Sequence, residues 1–377
     1  MTAYLADTPA TYDALGLKRC DIKAWEDGIR TDPNANSFEW WYFDARLEDG
    51  SALVITFRTK PYMSPQLPLQ PMLTINFDRP DGTQVERELH FSPEEFSAST
   101  DHCEVRMASN VFAGDLHTYR IHVEDEEITA EVTLRGTVPP WRPETGHIYF
   151  STGETDKGQL FAWLPSVPDG TVEATVTHNG TTETIRGVGY HDHNWGDVPL
   201  NQIFHHWWWG RAKIGPYAVI SAFLTAEEAY GSATVPLFMI AKDGQVIADD
   251  AKFITFSTSD ANVDEVTGKP VANQQIYDYD DPAAHFRLTW NRERTIVQRN
   301  FIDDLHGKQL EAARAAGFDS SYLRFTGTAT LERLEEDEIV EAHTAPAIWE
   351  LMYLGHASHA RIAYSSVGSG NDQEGES

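Results

Sequence analysis

Ten consecutive residues, Gly187-Val188-Gly189-Tyr190-His191-Asp192-His193-Asn194-Trp195-Gly196, hold two imidazoles, a carboxylate, a phenol and an indole between glycines. A second dense run, His205-His206-Trp207-Trp208-Trp209-Gly210-Arg211, follows almost at once. Read as a strand, the first run puts His191, His193 and Trp195 on one face and Tyr190, Asp192 and Asn194 on the other. Two histidines beside a tryptophan can position water, hold a proton or polarise a carbonyl. Asp192 can orient a histidine from a neighbouring strand. The plain structural alternative is a polar strand end at a domain junction, satisfied by hydrogen bonds. In the second run Trp207 and Trp209 alternate with Trp208, so both faces carry indole, and each indole N–H requires an acceptor. An aromatic wall of this kind suits an extended apolar ligand or a carbocation, at ~0.5–2 kcal/mol per cation–π contact.

Two further carboxylates sit among rings. In Phe38-Glu39-Trp40-Trp41-Tyr42-Phe43-Asp44, alternation groups Glu39 with Trp41 and Phe43, and Trp40 with Tyr42 and Asp44. Glu39 walled by rings either takes a partner, an arginine in the structural reading, or rises in pKa and becomes a proton donor. Glu350 is the one charge in Ile348–Leu354 and reads as a buried ion pair with Arg211 or Arg46. His191 and His193 also have the spacing of β-barrel metal sites, with His205 or His206 as a third ligand. A facial metal site also wants a well-placed carboxylate, and Asp197 falls past the strand end, so no metal is expected. No phosphate-binding glycine loop and no Gly-x-Ser-x-Gly elbow occurs, and no cofactor is expected.

The elements that must hold these groups are strands. Asp49-Gly50, Asp81-Gly82, Asn179-Gly180 and Asp243-Gly244 each lie between β-branched or alternating runs, and each predicts a type I′ hairpin. Tyr119–Val123 and Ile128–Leu134 predict one more. Helical signals are few: residues 305–316, stopped by Gly317, and a short segment over 21–28. Pro61, Pro65, Pro68 and Pro71 mark an ordered loop over one end of the first β unit. The reading is all-β, with two tandem antiparallel barrel or sandwich domains and few short helices. The expected divisions are an N-terminal extension (1–29), a first β domain (30–198), a second (199–364) and a Gly/Ser/Glu-rich disordered tail (365–377).

Composition narrows the partners. The 58 acidic against 29 basic residues give a net charge of −29, which repels phosphate backbones and anionic lipid and disfavours nucleic acid. With hydrophobic residues at 41%, the chain reads as globular rather than fibrous or disordered. Cys20 and Cys103 form no disulfide framework. No signal peptide pattern and no apolar run of membrane-spanning length is evident, so no integral membrane segment and a cytoplasmic location are expected.

The blocks Ser37–Asp44, Val138–Pro143, Gly189–Gly196, Trp207-x-Trp209 and Ala347–Met352 occur in this order in the hydroxyneurosporene synthase family, which the chain resembles over roughly residues 30 to 360. That group includes carotenoid 1,2-hydratases, AttH-like and kievitone-hydratase-like proteins, and decalin-forming Diels–Alderases are similar in fold. The resemblance implies two lipocalin-like domains, a cavity near their junction, and cofactor-free work on isoprenoids or polyenes. It also matches His193 and Trp195 to a His-x-Trp pair linked with hydration. The acidic residue it implies on the following strand has no counterpart in Tyr217–Leu224, which points away from carotenoid hydration itself.

The resulting expectation is an enzyme that binds a hydrophobic polyene or terpenoid and promotes proton-initiated hydration or cyclisation. Glu39, or Asp192 paired with a histidine, supplies the proton, while His191 and His193 manage water. Trp195, Trp207 and Trp209 shape the substrate, and Trp41, Tyr190, His206 and Tyr217 complete the candidate wall. Two alternatives stand beside it: a pericyclase that folds a linear polyene into a reactive conformer, and a non-catalytic carrier of apolar ligands.

Overall fold

A computed structural model describes residues 2–153 and 158–356. The tail expected over 365–377 and the end of the second expected domain lie outside the described residues. Among the described residues there are two antiparallel sheets, one of thirteen strands and one of nine. The first runs, in spatial order, from Gln84–His90 through Met72–Asp78, Ala52–Arg58 and Phe38–Leu47 to Thr181–Gly196. It continues through Gln159–His178, Ile128–Gly136, Thr118–Glu124, Asn110–Gly114 and Cys103–Met107 to Phe96–Ala98. The second runs from Gln245–Ala248 through Thr234–Lys242, Tyr217–Ala226 and Phe204–Ile214 to Glu338–Tyr353, then Ser321–Glu335, Ala284–Asn300, Pro270–Asp281 and Ile254–Val263.

The two sheets share one design. Each is an up-and-down meander in which an early strand pairs with the last, and each stays open between two strands that follow one another in sequence. In the first sheet that long-range pairing sets Phe38–Leu47 beside Thr181–Gly196, so the two aromatic motifs become neighbours. In the second it sets Phe204–Ile214 beside Glu338–Tyr353. The sheets change over between Gly196 and Phe204. No repeat in the amino-acid order announces this parallel; it lives in the hydrogen-bond ladders alone.

All the hairpins expected from sequence are formed. At Asn179-Gly180 and Asp243-Gly244 both residues have positive φ (51° and 73°; 50° and 79°), as a type I′ turn requires. The type I′ expectation fails at Asp49-Gly50 and Asp81-Gly82, where only the glycine has positive φ (89° and 90°). The longer loops there need a single left-handed residue before the strand resumes. The helix expected over 305–316 spans Gly307–Ala315, and the segment over 21–28 is a 3-10 turn, Ala24–Asp27.

The stretch 1–29, expected to be an extension, is woven into the first unit. Thr2–Leu5 pairs with His147–Ser151, and Asp27 is buried inside the sheet. Gly28 makes the second contact sterically feasible, since a Cβ there would lie 2.8 Å from backbone atoms of Ser99 and Thr100.

Three large apolar cores result, with a small fourth cluster of Ala162, Leu164 and Trp195 beside them. One fills the interior of the first sheet (Trp41, Phe43, Phe57, Phe112, Ile121) and another the interior of the second (Tyr277, Trp290, Phe325, Trp349). The remaining core lies between the sheets and is built from Phe38, Phe150, Phe161, Phe204, Leu224 and Met352. Among the described residues no helix is long and apolar enough to cross a membrane.

Candidate functional site in the cleft between the sheets

Alternation along Thr181–Gly196 decides which groups share a space. His191 pairs in register with Phe43, His193 with Trp41 and Trp195 with Glu39, while Asp192 pairs with Tyr42 and Asn194 with Trp40. The first set points into the interior of the first sheet. The second set faces the other sheet and lines a cleft of about 470 Å³. One strand therefore feeds two separate polar clusters on its opposite faces.

The interior cluster is closed. Glu39, His191 and His193 are fully buried and Asp27 nearly so. Glu39 accepts hydrogen bonds from the backbone N–H of Arg30 (2.6 Å) and Thr31 (3.0 Å) and from the Thr31 hydroxyl (2.7 Å), and its Oε1 lies 2.7 Å from His193 Nε2. His191 Nδ1 donates to the Tyr42 carbonyl (2.9 Å), and its Nε2 lies 3.2 Å from Asp27 Oδ2, which also accepts from the Tyr119 hydroxyl. Burial pushes the Asp27 carboxyl upward, but His191, His193 and Tyr119 together pull it below its ordinary value. Trp41 stacks on His193 at 4.6 Å between centroids and donates from Nε1 to the Asp27 carbonyl. Asp27, Cys103 and His191 present ligand atoms within 4.8 Å of one another, a donor set that includes neither His193 nor His205 and His206.

The cleft is where an apolar ligand meets ionisable groups. Its walls carry Trp40, Tyr42, Trp163, Trp207, Trp209 and Tyr322. Asp192 is held by three donors: Trp163 Nε1 (2.7 Å), the Tyr190 hydroxyl (2.8 Å) and Asn194 Nδ2 (2.8 Å). Burial outweighs these donors and pushes its pKa up to about 6. Trp163 reaches Asp192 because it pairs in register with Asn194, two residues along on the same face; the ladder turns irregular just beyond, between Leu164 and Val167 and between Val167 and Gly170. Such bulges commonly re-aim side chains beside sites. From the second sheet, Glu350 accepts from Trp207 Nε1 (3.2 Å) and the Tyr322 hydroxyl (2.8 Å), and burial raises its pKa as well. Asp44 and Arg211 form a close ion pair that bridges the sheets behind Tyr190, whose ring the guanidinium covers at 5.3 Å.

Several expectations are thereby corrected. Glu39, His191 and His193 lie behind the sheet from the cleft, because period-two alternation sends them inward; among the described residues Asp192 makes no hydrogen bond to a histidine. Trp41 belongs to the first core, and Trp195 packs against His147 and His193 away from the cleft. Tyr190 stands behind Asp192 as its donor rather than on the wall. His206 stacks on Tyr353 with Nδ1 2.7 Å from that of His205, and burial together with that neighbour drives its pKa down to about 3. Tyr217 is in the core of the second sheet, its hydroxyl on Glu341 (2.9 Å). Of the expected wall, Trp207 and Trp209 line the cleft. Among the described residues Glu350 pairs with neither Arg211 nor Arg46. Trp40, Tyr42, Trp163, Tyr322 and Arg324 line the cleft outside the set expected from sequence, although Trp40 and Tyr42 share the alternation face of Asp44.

The comparisons with known proteins fit this architecture. A quinolone epoxide rearrangement protein, asqO of Emericella nidulans, is 29% identical over 200 residues, 50% of this chain and 54% of that protein. A hydroxyneurosporene dehydrogenase of Chlorobaculum tepidum is 28% identical over 214 residues, 46% of this chain and 53% of that one. The chain thus spans about half the length of the curated relatives it matches. The crystal structure of CghA with Sch210972 superposes with a TM-score of 0.58 at 16% identity, covering 87% of this chain and 94% of that one. The Diels-Alderase-like family profile matches residues 31–279, and the chain belongs to that family.

Proposed function

We propose that the chain is an enzyme that binds an apolar natural product in the cleft between its sheets and promotes hydration or cyclisation with Asp192 as the proton donor. The observation that carries this reading is a buried carboxyl with pKa near 6 on an aromatic wall. A general acid works best when its pKa lies near the operating pH, and Asp192 meets that condition without a cofactor. Protonation of an alkene or epoxide by Asp192 leaves a cation that Trp207, Trp209 and Tyr42 can stabilise from their ring faces. Capture by water gives hydration, and capture by a second double bond gives cyclisation. Trp163, Tyr190 and Asn194 hold the resulting carboxylate in place for the returning proton. A polyene or terpenoid body and a cytoplasmic setting belong to the same proposal.

A second reading, supported by the family match, is a pericyclase. It needs a shaped wall and a hydrogen-bond donor, and orientation alone supplies up to ~7–11 kcal/mol in well-oriented systems. Turnover in deuterated, oxygen-labelled water separates the two. Deuterium in the product, with loss of turnover but retained binding in Asp192→Asn, supports the acid mechanism. An unlabelled product with full activity in that variant rules it out and leaves the pericyclic reading.

A further inference from the structure

Arg324 is a cation on the cleft wall, set between the two acidic groups Asp44 and Glu350, whose guanidinium is bonded to neither. It lies on Ser321–Glu335 with Val297 and Glu350 as its partners in register on either side, and its side chain lines the cleft. Among the described residues its guanidinium makes no hydrogen bond and no ion pair, although it has five N–H donors. Of the other cleft cations one is engaged in an ion pair, and the other, Arg58, makes no hydrogen bond or ion pair among the described residues but stands away from the acidic pair, against a ring. Arg299 pairs with Asp304 (2.9 Å), and Arg58 lies over the Tyr62 ring at 5.7 Å.

The nearby carboxylates stabilise the charge of Arg324 at a distance but do not bond its donors. Glu350 stands directly opposite but gives one oxygen to Trp207 and the other to Tyr322. Asp44 is taken by Arg211 and by the Tyr42 hydroxyl (3.1 Å). Arg324 is half-buried, and its unpaired donors open to the cleft, where the oxygens of a ligand can replace water. Its planar fork matches two oxygens in one plane, which a lysine or an amide cannot reproduce.

We infer that Arg324 is the recognition point for a planar anion with two acceptor oxygens, a carboxylate in its simplest form, carried by a substrate whose apolar body lies along the aromatic wall. This rests on the reading of the cleft as the substrate site and adds to it the polar end of the substrate. The net charge of −29 opposes an anion at long range, so any preference for one must arise locally. Added salt screens that unfavourable field more than the buried contact, and should strengthen anion binding.

Quenching of tryptophan fluorescence by all-trans-retinoic acid and all-trans-retinol tests the inference, because the two share a polyene and differ at one end. The acid should bind at least about tenfold more tightly than the alcohol, as expected of a bidentate charged pair. Arg324→Gln should reduce the two to parity, and Arg324→Lys, which keeps the charge without the fork, should fall between. Equal binding of both probes to the unaltered protein overturns the inference while leaving the cleft reading intact, and so does a lysine variant that matches the unaltered protein. Binding of neither probe overturns both readings. If Arg324→Gln does not fold, the unaltered protein and the lysine variant decide the matter.

Discussion

Asp192 is poised by opposing forces, and removing one of them should move it in a calculable direction. Burial drives its carboxyl up from 3.8 to about 6, while hydrogen bonds from Trp163, Tyr190 and Asn194 hold it down. Tyr190→Phe deletes one of the two donors on Oδ2 and leaves ring packing in place. A hydrogen bond to a charged acceptor contributes about 1.5–3 kcal/mol, which is about one to two pH units in a midpoint. The variant should therefore titrate near pH 7 to 8. The indole N–H of Trp163 donates to this carboxylate at 2.7 Å, so its proton–nitrogen NMR resonance reports the titration, assigned by its loss in Trp163→Phe. Asp192→Asn gives the flat reference. A midpoint in the ordinary carboxylate range for the unaltered protein, or one that stays or falls in Tyr190→Phe, would refute the balance described here.

The same poise sets a pH dependence of stability. A folded-state pKa raised to about 6 stabilises the protonated fold, so this contribution is complete below about 3.8 and lost as pH rises through 6, an effect of about 3 kcal/mol. Urea titrations at several pH values should show that slope, and Asp192→Asn should remove it. Asp27 acts in the opposite sense: its lowered pKa gives stability that is present above the ordinary carboxylate range and disappears as pH falls through the folded value. Acid unfolding monitored by circular dichroism should begin at higher pH in Tyr119→Phe, which loses a donor to Asp27. Glu39→Gln should lower the unfolding free energy by about 3 kcal/mol, because it breaks a buried charged network, without altering probe binding in the cleft. A loss of binding with stability unchanged would return Glu39 to the site. Trp209→Ala removes one ring from the wall and should weaken retinol binding by about tenfold, read by quenching of the remaining indoles.

Much of this protein was legible in local order. Asn-Gly and Asp-Gly pairs between alternating runs marked the hairpins, because only a few residue types accept positive φ in a tight turn. Period-two alternation by itself separates His191 and His193 from Asp192, and Glu39 from Tyr42. The family blocks pointed to two lipocalin-like units with a cavity near their junction. Alternation sorts residues into two faces but does not say which face looks inward, so sequence cannot tell whether Glu39, the histidines and Asp192 meet one space or two.

Tertiary structure settled the rest. The ladders that join Phe38–Leu47 to Thr181–Gly196 and Phe204–Ile214 to Glu338–Tyr353 are long-range, and no local signal encodes them. They turned the imidazoles into a buried support with Asp27, a residue that carried no signal because its role comes from a 3-10 turn threaded into the first sheet. They also set Asp192 on one wall, and Glu350 and Arg324 on the facing sheet. A carboxyl's pKa and a guanidinium's unmet donors are properties of what surrounds them, and the surroundings exist only once two distant stretches of chain are pressed together.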